Sequence, residues 1–193
     1  MEERFIVRAL SLEDDLAQAA RLIYDTDEYI FPYLYEGDIQ KAERVIVKMI
    51  QRETIYNYRN ITIATLEDRI VGIIVAKETP IHIDAREMIR CFIDANEMVG
   101  ERFTKTFNEY YKFFEDEPAG VYIANVCVDK TCRGKGIGKK LLMAFLQKNP
   151  GTNYHLETVK ENVAALKVYQ ACGFEITKEY LGFMDVPCYR MMR

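Results

Sequence analysis

The chain has 193 residues, of which 49% are hydrophobic and 29% charged, an ordinary balance for a globular domain with a full core. A formal net charge of −4 argues mildly against a nucleic-acid partner and mildly for cationic small molecules. No run of about 18 apolar residues is present, so no membrane-spanning segment is expected. We therefore expect one domain over residues 1–193, with neither nucleic acid nor membrane as a partner.

The N-terminal stretch MEERFIVRAL begins with charges and lacks the apolar core of a secretory signal. The five cysteines are odd in number and contain no CxxC pair. With only two histidines, His82 and His155, no metal site is expected. These features favour reduced cysteines and a cytoplasmic location.

The first part of the chain predicts strand, helix, helix and hairpin. Residues 4–8 alternate like a short strand, and residues 11–14 resemble the capping box that begins a helix. A second helix is predicted over residues 38–51. ITIATL and RIVGIIVA (61–66 and 69–76) flank a two-residue turn and predict a β-hairpin. The helical residues expected to face the core are Leu12, Leu16, Ala19, Ala20 and Ile23, then Ile39, Ala42, Ile46, Met49 and Ile50.

Residues 24–36, YDTDEYIFPYLYE, combine five aromatic residues with four acids between the first two helices. Carboxylates and aromatic faces suit a cationic amine, so this segment is one candidate wall of an acceptor pocket. The same aromatics could instead simply pack the junction between helix and loop. Both interpretations stay open.

Residues 81–117 return to the helical period and predict two amphipathic helices with a break at Gly100. They make residues 78–120 a helical insertion between the third and fourth strands. An added core layer, a mobile lid and a homodimer interface are three open interpretations of it. The two apolar stripes are Met88, Phe92, Ala95 and Val99, then Phe103, Phe107, Tyr110 and Phe114.

The remainder of the chain reads as strand, loop, helix, strand, helix and two tail strands. VYIANVCV (121–128) is β-branched and apolar, as in a central strand, and HLETV (155–159) forms the next strand. The short strand–helix–strand connection implies a parallel pair with a right-handed crossover. Helix 162–172 and strands near 174–180 and 186–192 follow. The predicted fold class is therefore α/β, with a mixed sheet of the α+β type.

The stretch KTCRGKGIGKKLL (130–142), which connects the strand 121–128 to the following helix, is rich in glycine and basic residues. It fails the P-loop pattern, and the GxGxG spacing of Gly134, Gly136 and Gly138 fails the dinucleotide pattern GxGxxG. Glycines nevertheless let a backbone approach an anion closely, and a helix N-terminus aims N–H groups at it. Between Thr131 and Lys148 there are five basic residues and no acid, so this loop predicts a phosphate-bearing ligand.

Two blocks give the sequence a family resemblance. Arg133-Gly-Lys-Gly136-Ile-Gly138 matches the pattern [Q/R]xxGx[G/A], and Asn162 to Phe174 matches NxxAxxxYxxxGF. With these blocks the chain resembles the GNAT superfamily of acetyl-CoA-dependent N-acetyltransferases, clearly over residues 121–192 and plausibly over 4–77. The resemblance implies the GNAT-like acyl-CoA N-acyltransferase fold.

The resemblance also implies binding residues for acetyl-CoA. Backbone groups freed where the strand before the loop splays from its parallel neighbour would bind pantetheine and polarise the thioester carbonyl, an oxyanion-hole arrangement. Asn162 would hold the pantetheine arm or the helix entrance. Tyr169 would stand near the sulfur and protonate the leaving thiolate. The other implied positions are Val126, Cys127 and Val128 for pantetheine and Arg133, Gly134, Lys135, Gly136, Ile137, Gly138 and Lys139 for pyrophosphate.

An alkylamine with a pKa around 10 needs a base, or a water path to one, before it can attack at neutral pH. The resemblance suggests Glu157, which lies five residues before Asn162. Some members carry a glutamate where this sequence has Tyr122, so that version of the base is missing. His155 would share a strand face with Glu157 and could act as base or relay. Glu157 could also be a structural or solvent-facing carboxylate.

The sequence therefore predicts an N-acetyltransferase that moves the acetyl group of acetyl-CoA to a primary amine, on a small molecule or a peptide. Direct attack in a ternary complex is expected, with acetyl-CoA as co-substrate and no metal. The alternative is a CoA-binding sensor or catalytically degenerate regulatory module, which the tyrosine at position 122 keeps open.

Overall fold

The computed structural model of the chain describes residues 5–112, 117–148 and 150–193, apart from the side chains of 108 and 110–112. The strands are β1 (Ile6–Ala9), β2 (Ile61–Leu66), β3 (Arg69–Glu78), β4 (Val121–Val128), β5 (Tyr154–Val159), β6 (Glu175–Leu181) and β7 (Pro187–Met192). The helices are α1 (Leu16–Tyr24), α2 (Ile30–Leu34), α3 (Ile39–Gln51), α4 (Ala85–Asp94), α5 (Glu101–Lys112), α6 (Ile137–Gln147) and α7 (Val163–Ala171).

The described strands form one mixed sheet in the order β1-β2-β3-β4-β5-β7-β6. Among these strands, β4 and β5 make the one parallel pair, because the helix α6 connects them. The β2–β3 hairpin is confirmed, and its turn residues Glu67 and Asp68 have φ values of 48° and 62°. Positive φ at both central residues matches the twist of the flanking strands. The predicted mixed α/β fold is confirmed.

Helices cover both faces of the sheet and bury a hydrophobic cluster on each side. Ile63, Ile73 and Val75 point into the cluster beneath α1 to α5. Ala64 and Ile74 point the other way, into the cluster beneath α6 and α7. Successive residues of a strand face opposite sides, so central strands that are covered twice read as continuous apolar runs.

Two details of the N-terminal helices differ from the sequence prediction. Residues 11–14 form a turn rather than a helix start, since the N–H of Ser11 donates to Asp14 Oδ2 (2.7 Å). The next acid, Asp15, caps α1 by accepting from the N–H of Gln18. Leu12 is consequently 48% exposed instead of facing the core. Ile39, expected to face inward, is 52% exposed, because the first residue of α3 points away from the sheet.

The helical insertion is confirmed as α4 and α5, which are separated by a non-helical segment at residues 95–100. Phe92 of α4 and Phe103 of α5 are buried with ring centroids 4.6 Å apart. Arg52 at the end of α3 forms ion pairs with Glu87 and Asp94 of α4. The insertion thus adds a layer to the core, while the lid and homodimer interpretations stay predictions. Of the predicted stripe, Phe114 and the side chain of Tyr110 lie outside the described residues.

Candidate active site

The strands β4 and β5 separate in the middle of the sheet. Their parallel pairing covers Val121 to Ile123 on β4 and ends at Leu156 on β5, after which β5 pairs with β7 alone. On the other side of β4, Val75 of β3 faces Asn125 and the next residue of β3 faces Ile123. Residue 124 is therefore the extra residue of a β-bulge, which bends β4 away from β5. The result is an opening between two central strands.

The residues of β4 beyond the bulge alternate between facing β3 and facing this opening. The N–H of Asp129 donates to the carbonyl of Val71 on β3 at 2.9 Å. Hydrogen-bonded and non-hydrogen-bonded positions alternate in an antiparallel pair, so the backbone groups of Cys127 also point to β3. Those of Val126 and Val128 point to the opening. Two of the three residues expected to meet pantetheine thus direct backbone groups there, while Cys127 directs its backbone to β3.

The glycine-rich loop lies at the end of β4 and leads into α6. Gly134 and Gly136 have φ values of 79° and 75°, and a Cβ built on either would have no atom within 4 Å. Gly136 caps α6 with no side-chain hydrogen bond. The first N–H groups of a helix have no partner inside the helix, so those of Ile137, Gly138 and Lys139 face an open, positively polarised cradle. These features fit the pyrophosphate of CoA.

The helix α7 carries the other implied residues on the same side of the sheet. Asn162 caps the helix, since its side chain accepts from the N–H of Ala165 at 3.1 Å. This contact is the predicted role at the helix entrance, and the predicted contact with pantetheine stays a prediction. Tyr169 is 8% exposed, and its ring meets that of Phe174 edge-on at 6.2 Å. Its hydroxyl group makes no hydrogen bond with a described residue, and burial raises the pKa of Tyr169. The phenol is thus protonated at neutral pH.

On the opposite face of the sheet, a cavity of about 180 Å³ lies against the opening between β4 and β5. Asn125 of β4 and Thr158 of β5 lie at its floor, beside the point where the strands separate. Within the acidic and aromatic segment 24–36, the ring of Phe31 stacks on Tyr24 and Tyr35. The segment therefore packs the junction and also forms one wall of the cavity, while its contact with an acceptor stays a prediction. Its residues that line the cavity are Asp27, Ile30, Phe31, Leu34 and Tyr35.

Glu157 lines the same cavity and belongs to a buried network of charged groups. Its Oε1 accepts from Arg190 Nη2 at 2.9 Å, and the same nitrogen lies 2.8 Å from Glu117 Oε1. Oε2 of Glu117 lies 2.7 Å from Nε2 of His155, without the alignment of a hydrogen bond. Burial of Tyr180, together with the nearby negative charge of Glu157, raises the pKa of Tyr180. His155 and Glu157 thus share one face and one network.

Tyr122 occupies the β4 position at which some relatives carry a glutamate. It is 7% exposed, lines the cavity, and its ring lies 5.4 Å from that of His155. The nearest carboxylate of the insertion, Glu117, is bound by Arg190 and approached by His155 in this neighbourhood. The strand thus has no glutamate at position 122, but the insertion places the carboxylate of Glu117 in the same neighbourhood.

Several residues of this site carry no sequence signal of their own. Glu117 stands in an acidic run that reads as a solvated turn, and Arg190 in a tail strand. Their meeting with Glu157 depends on the pairing of β5 with β7, in which Glu157 faces Arg190. Asn125 sits inside an apolar strand, where a lone polar residue is a weak hint of a buried partner.

Among the described residues, no group of three or more His, Cys, Asp or Glu side chains could hold a metal ion. Within the same ranges, the helices are all too short or too polar to cross a membrane.

A model of the GNAT acetyltransferase family matches residues 23–174, so the chain belongs to that family. No curated protein matches the sequence. Acetyl transfer is the general reaction of this family.

Solved structures show the same fold over almost the whole chain. An N-acetyltransferase from Staphylococcus aureus Mu50 has a TM-score of 0.67 at 18% identity, covering 97% of this chain and 100% of its own. A histone acetyltransferase HPA2 and related acetyltransferase from Corynebacterium glutamicum has a TM-score of 0.59 at 17% identity, covering 97% and 94%. A chain of the NatC complex bound to Gag peptide and CoA has a TM-score of 0.56 at 21% identity, covering 97% and 96%.

Proposed function

We propose that this protein transfers the acetyl group of acetyl-CoA to a primary amine by direct attack in a ternary complex. One observation carries the proposal: the opening between β4 and β5 joins two sites on opposite faces of the sheet. The glycine loop lies on one side and the acid-lined cavity on the other. Acetyl-CoA would place its thioester in the opening from one side, and the acceptor amine would reach the thioester from the other.

The donor side supports CoA through backbone groups rather than specific side chains. The cradle of residues 133–139 suits the pyrophosphate, and Lys135 and Lys139 add positive charge. Backbone groups of Val126 and Val128 would meet the pantetheine arm and the thioester. An N–H group aimed at the carbonyl oxygen stabilises the negative charge that develops as the amine attacks. The CoA bound in the structurally similar NatC complex is consistent with this assignment.

The acceptor side supports deprotonation and attack. Glu157, whose carboxylate lines the cavity, would take the proton of the bound amine, directly or through a water molecule. The nitrogen then attacks the carbonyl carbon, and the carbon–sulfur bond breaks. Tyr169 would donate a hydrogen bond or its proton to the leaving thiolate. The nitrogen loses its second proton as the amide forms, and this proton replaces the one that the thiolate receives. The products are the amide, CoA as a free thiol and one proton that Glu157 releases to solvent.

A regulatory CoA-binding module is the second candidate, favoured by two observations. Tyr122 replaces the strand glutamate of some relatives, and Glu157 is held by Arg190 instead of standing free. Both functions require CoA binding, so binding alone does not distinguish them. A cytoplasmic location and a homodimer stay predictions.

The deciding experiment follows free thiol while the protein, acetyl-CoA and a panel of primary amines and short peptides are incubated together. Acceptor-dependent thiol release, with the acetylated amine identified by mass spectrometry, would support the transferase. Tight CoA binding without acceptor-dependent release across the panel would favour the regulatory module.

A further inference from the structure

The acceptor cavity contains a buried amide whose oxygen lacks a partner. Asn125 is 8% exposed, and its Nδ2 donates to Thr26 Oγ1 at 2.6 Å. The hydroxyl of Thr26 already donates to the carbonyl of Ile23 at 2.6 Å, so Thr26 can only accept from Asn125. This chain of donors fixes which end of the amide is oxygen. Oδ1 of Asn125 is buried without a hydrogen bond.

The residue after Thr26, the half-buried Asp27, supplies a second acceptor. Oδ1 of Asp27 accepts from the N–H groups of Tyr29 and Ile30 at 2.7 and 2.6 Å. Its Oδ2 makes no hydrogen bond with any described residue. Burial raises the pKa of Asp27, although these two N–H groups act in the opposite direction.

Asp27 differs from the other acids that line the cavity in that it is not paired with a cation of the described residues. Glu117 and Glu157 also line the cavity, and both are paired with Arg190. Asp27 has no cation beside it in the part of the chain that the structure describes. An unpaired carboxylate and an unsatisfied amide oxygen, joined through Thr26, both require N–H donors. A ligand ammonium group carries such donors and the missing charge.

Apart from its acids and threonines, the cavity is lined mainly by aromatic and aliphatic side chains. Phe31, Tyr35, Tyr56, Phe103 and Phe183 contribute aromatic walls, and the ring of Tyr33 meets Phe183 at 6.2 Å across the cavity's edge. This contact joins α2 to the connection between β6 and β7. An apolar cavity of about 150 Å³ holds benzene, so the volume of about 180 Å³ suits one ring or a short alkyl chain.

Resting on the proposed transfer to an amine, we propose that Asp27 and Asn125 bind the ammonium group of the acceptor. The acceptor is accordingly a small primary amine with an apolar body and no carboxylate or phosphate group. The amine binds in its charged form and loses its proton to the base before it attacks.

Binding to the CoA-saturated protein tests this without turnover. Benzylamine, benzyl alcohol and benzoate share one ring and differ in their head group, and titration calorimetry at pH 7 compares them. We expect benzylamine to bind about tenfold or more tightly than benzyl alcohol, since hydrogen bonds to charged groups are the stronger ones. Benzoate should bind more weakly than either. Equal affinity for the three, or no binding of benzylamine, would overturn the proposal.

Variants then assign the effect to the two residues. Asp27→Asn keeps an Oδ1 for the N–H groups of Tyr29 and Ile30, and should reduce benzylamine affinity to that of benzyl alcohol. Asn125→Leu should weaken benzylamine binding several-fold. Glu28→Gln, which removes a neighbouring exposed carboxylate, should leave binding unchanged. An Asp27→Asn protein that binds benzylamine normally would show that Asp27 serves only to accept from the N–H groups of Tyr29 and Ile30.

The outcomes also separate this inference from the proposed function. Benzylamine binding that depends on Asp27, without thiol release from acetyl-CoA, would retain the ammonium site and reject the transferase. Acetylation of amines that proceeds with an unchanged KM in Asp27→Asn would retain the transferase and reject the ammonium site.

Discussion

Glu157 and Arg190 face each other across the antiparallel pair of β5 and β7, with Oε1 2.9 Å from Nη2. Glu157 is therefore held in one orientation at the edge of the acceptor cavity, since Arg190 also binds Glu117. A fixed carboxylate is well placed to meet an amine, whereas its pairing with Arg190 already occupies Oε1. Kinetics can weigh these two effects.

We expect Glu157→Gln to lower kcat by about 10²-fold, in line with the contribution of a general base. The rise of activity with pH should at the same time move toward the pKa of the amine, around 10, because the amine must then lose its proton to solvent. A pH profile of kcat measures both effects. Glu175→Gln, on the exposed strand β6, is the matched control. An unaltered profile in Glu157→Gln would remove Glu157 from the role of base.

Tyr169→Phe should lower kcat about tenfold while the affinity for CoA stays within about twofold of the unmodified protein, since one hydrogen bond to the sulfur is lost. Burial raises the pKa of Tyr169, which favours hydrogen-bond donation over complete proton transfer. Steady-state kinetics and CoA titration separate the two quantities. Equal turnover in the variant would leave Tyr169 as a core aromatic.

Gly136→Ala should weaken CoA binding about tenfold, because the left-handed conformation costs an alanine roughly 1–2 kcal/mol and the added methyl enters the anion cradle. Gly136 has φ 75° and open space around its missing Cβ. Gly151→Ala supplies the comparison, since Gly151 has φ 83° and equally open surroundings away from the loop. Calorimetric titration with CoA should show a loss only in the first variant. The same loss in both would point to general destabilisation.

Alkaline pH should destabilise the fold through the buried thiol of Cys91. Burial raises the pKa of Cys91 to about 12, above its value in the unfolded chain. The stabilising contribution is therefore fully present below about pH 8.5, the usual thiol pKa, and is lost as pH rises toward 12. Cys91→Ala, less stable at pH 8, should lose less free energy of unfolding between pH 8 and 10. Denaturant unfolding measures the difference, and parallel losses would contradict it.

Much of the fold could be predicted because its signals are local. The hairpin of β2 and β3 follows from two apolar runs around Glu67 and Asp68, and the break in the insertion from Gly100. The start of α1 could not be placed, because Asp14 and Asp15 are equally good caps by type. Asp14 also binds Arg8, and that contact ties it into the preceding turn.

The two halves of the candidate site also differ in how far they could be predicted from the sequence. The donor half could be located because a loop that binds phosphate through its backbone needs glycines at fixed positions, and Gly134 and Gly136 are visible in the sequence. The acceptor half could only be guessed from the residues around Asp27. Its partners Asn125, Glu117 and Arg190 come from distant parts of the chain.

The sequence by itself determined the backbone conformation of the glycine loop and so predicted the class of ligand on one side of the sheet, because local conformation depends on residue types that are neighbours in the chain. Only the tertiary structure decided which acids are paired and which one is left without a cation. Arg190 reaches Glu157 and Glu117 because β7 lies beside β5, and Asn125 reaches Thr26 because the bulge at residue 124 shifts the register of β4. Such contacts depend on strand order and register, which no local pattern encodes.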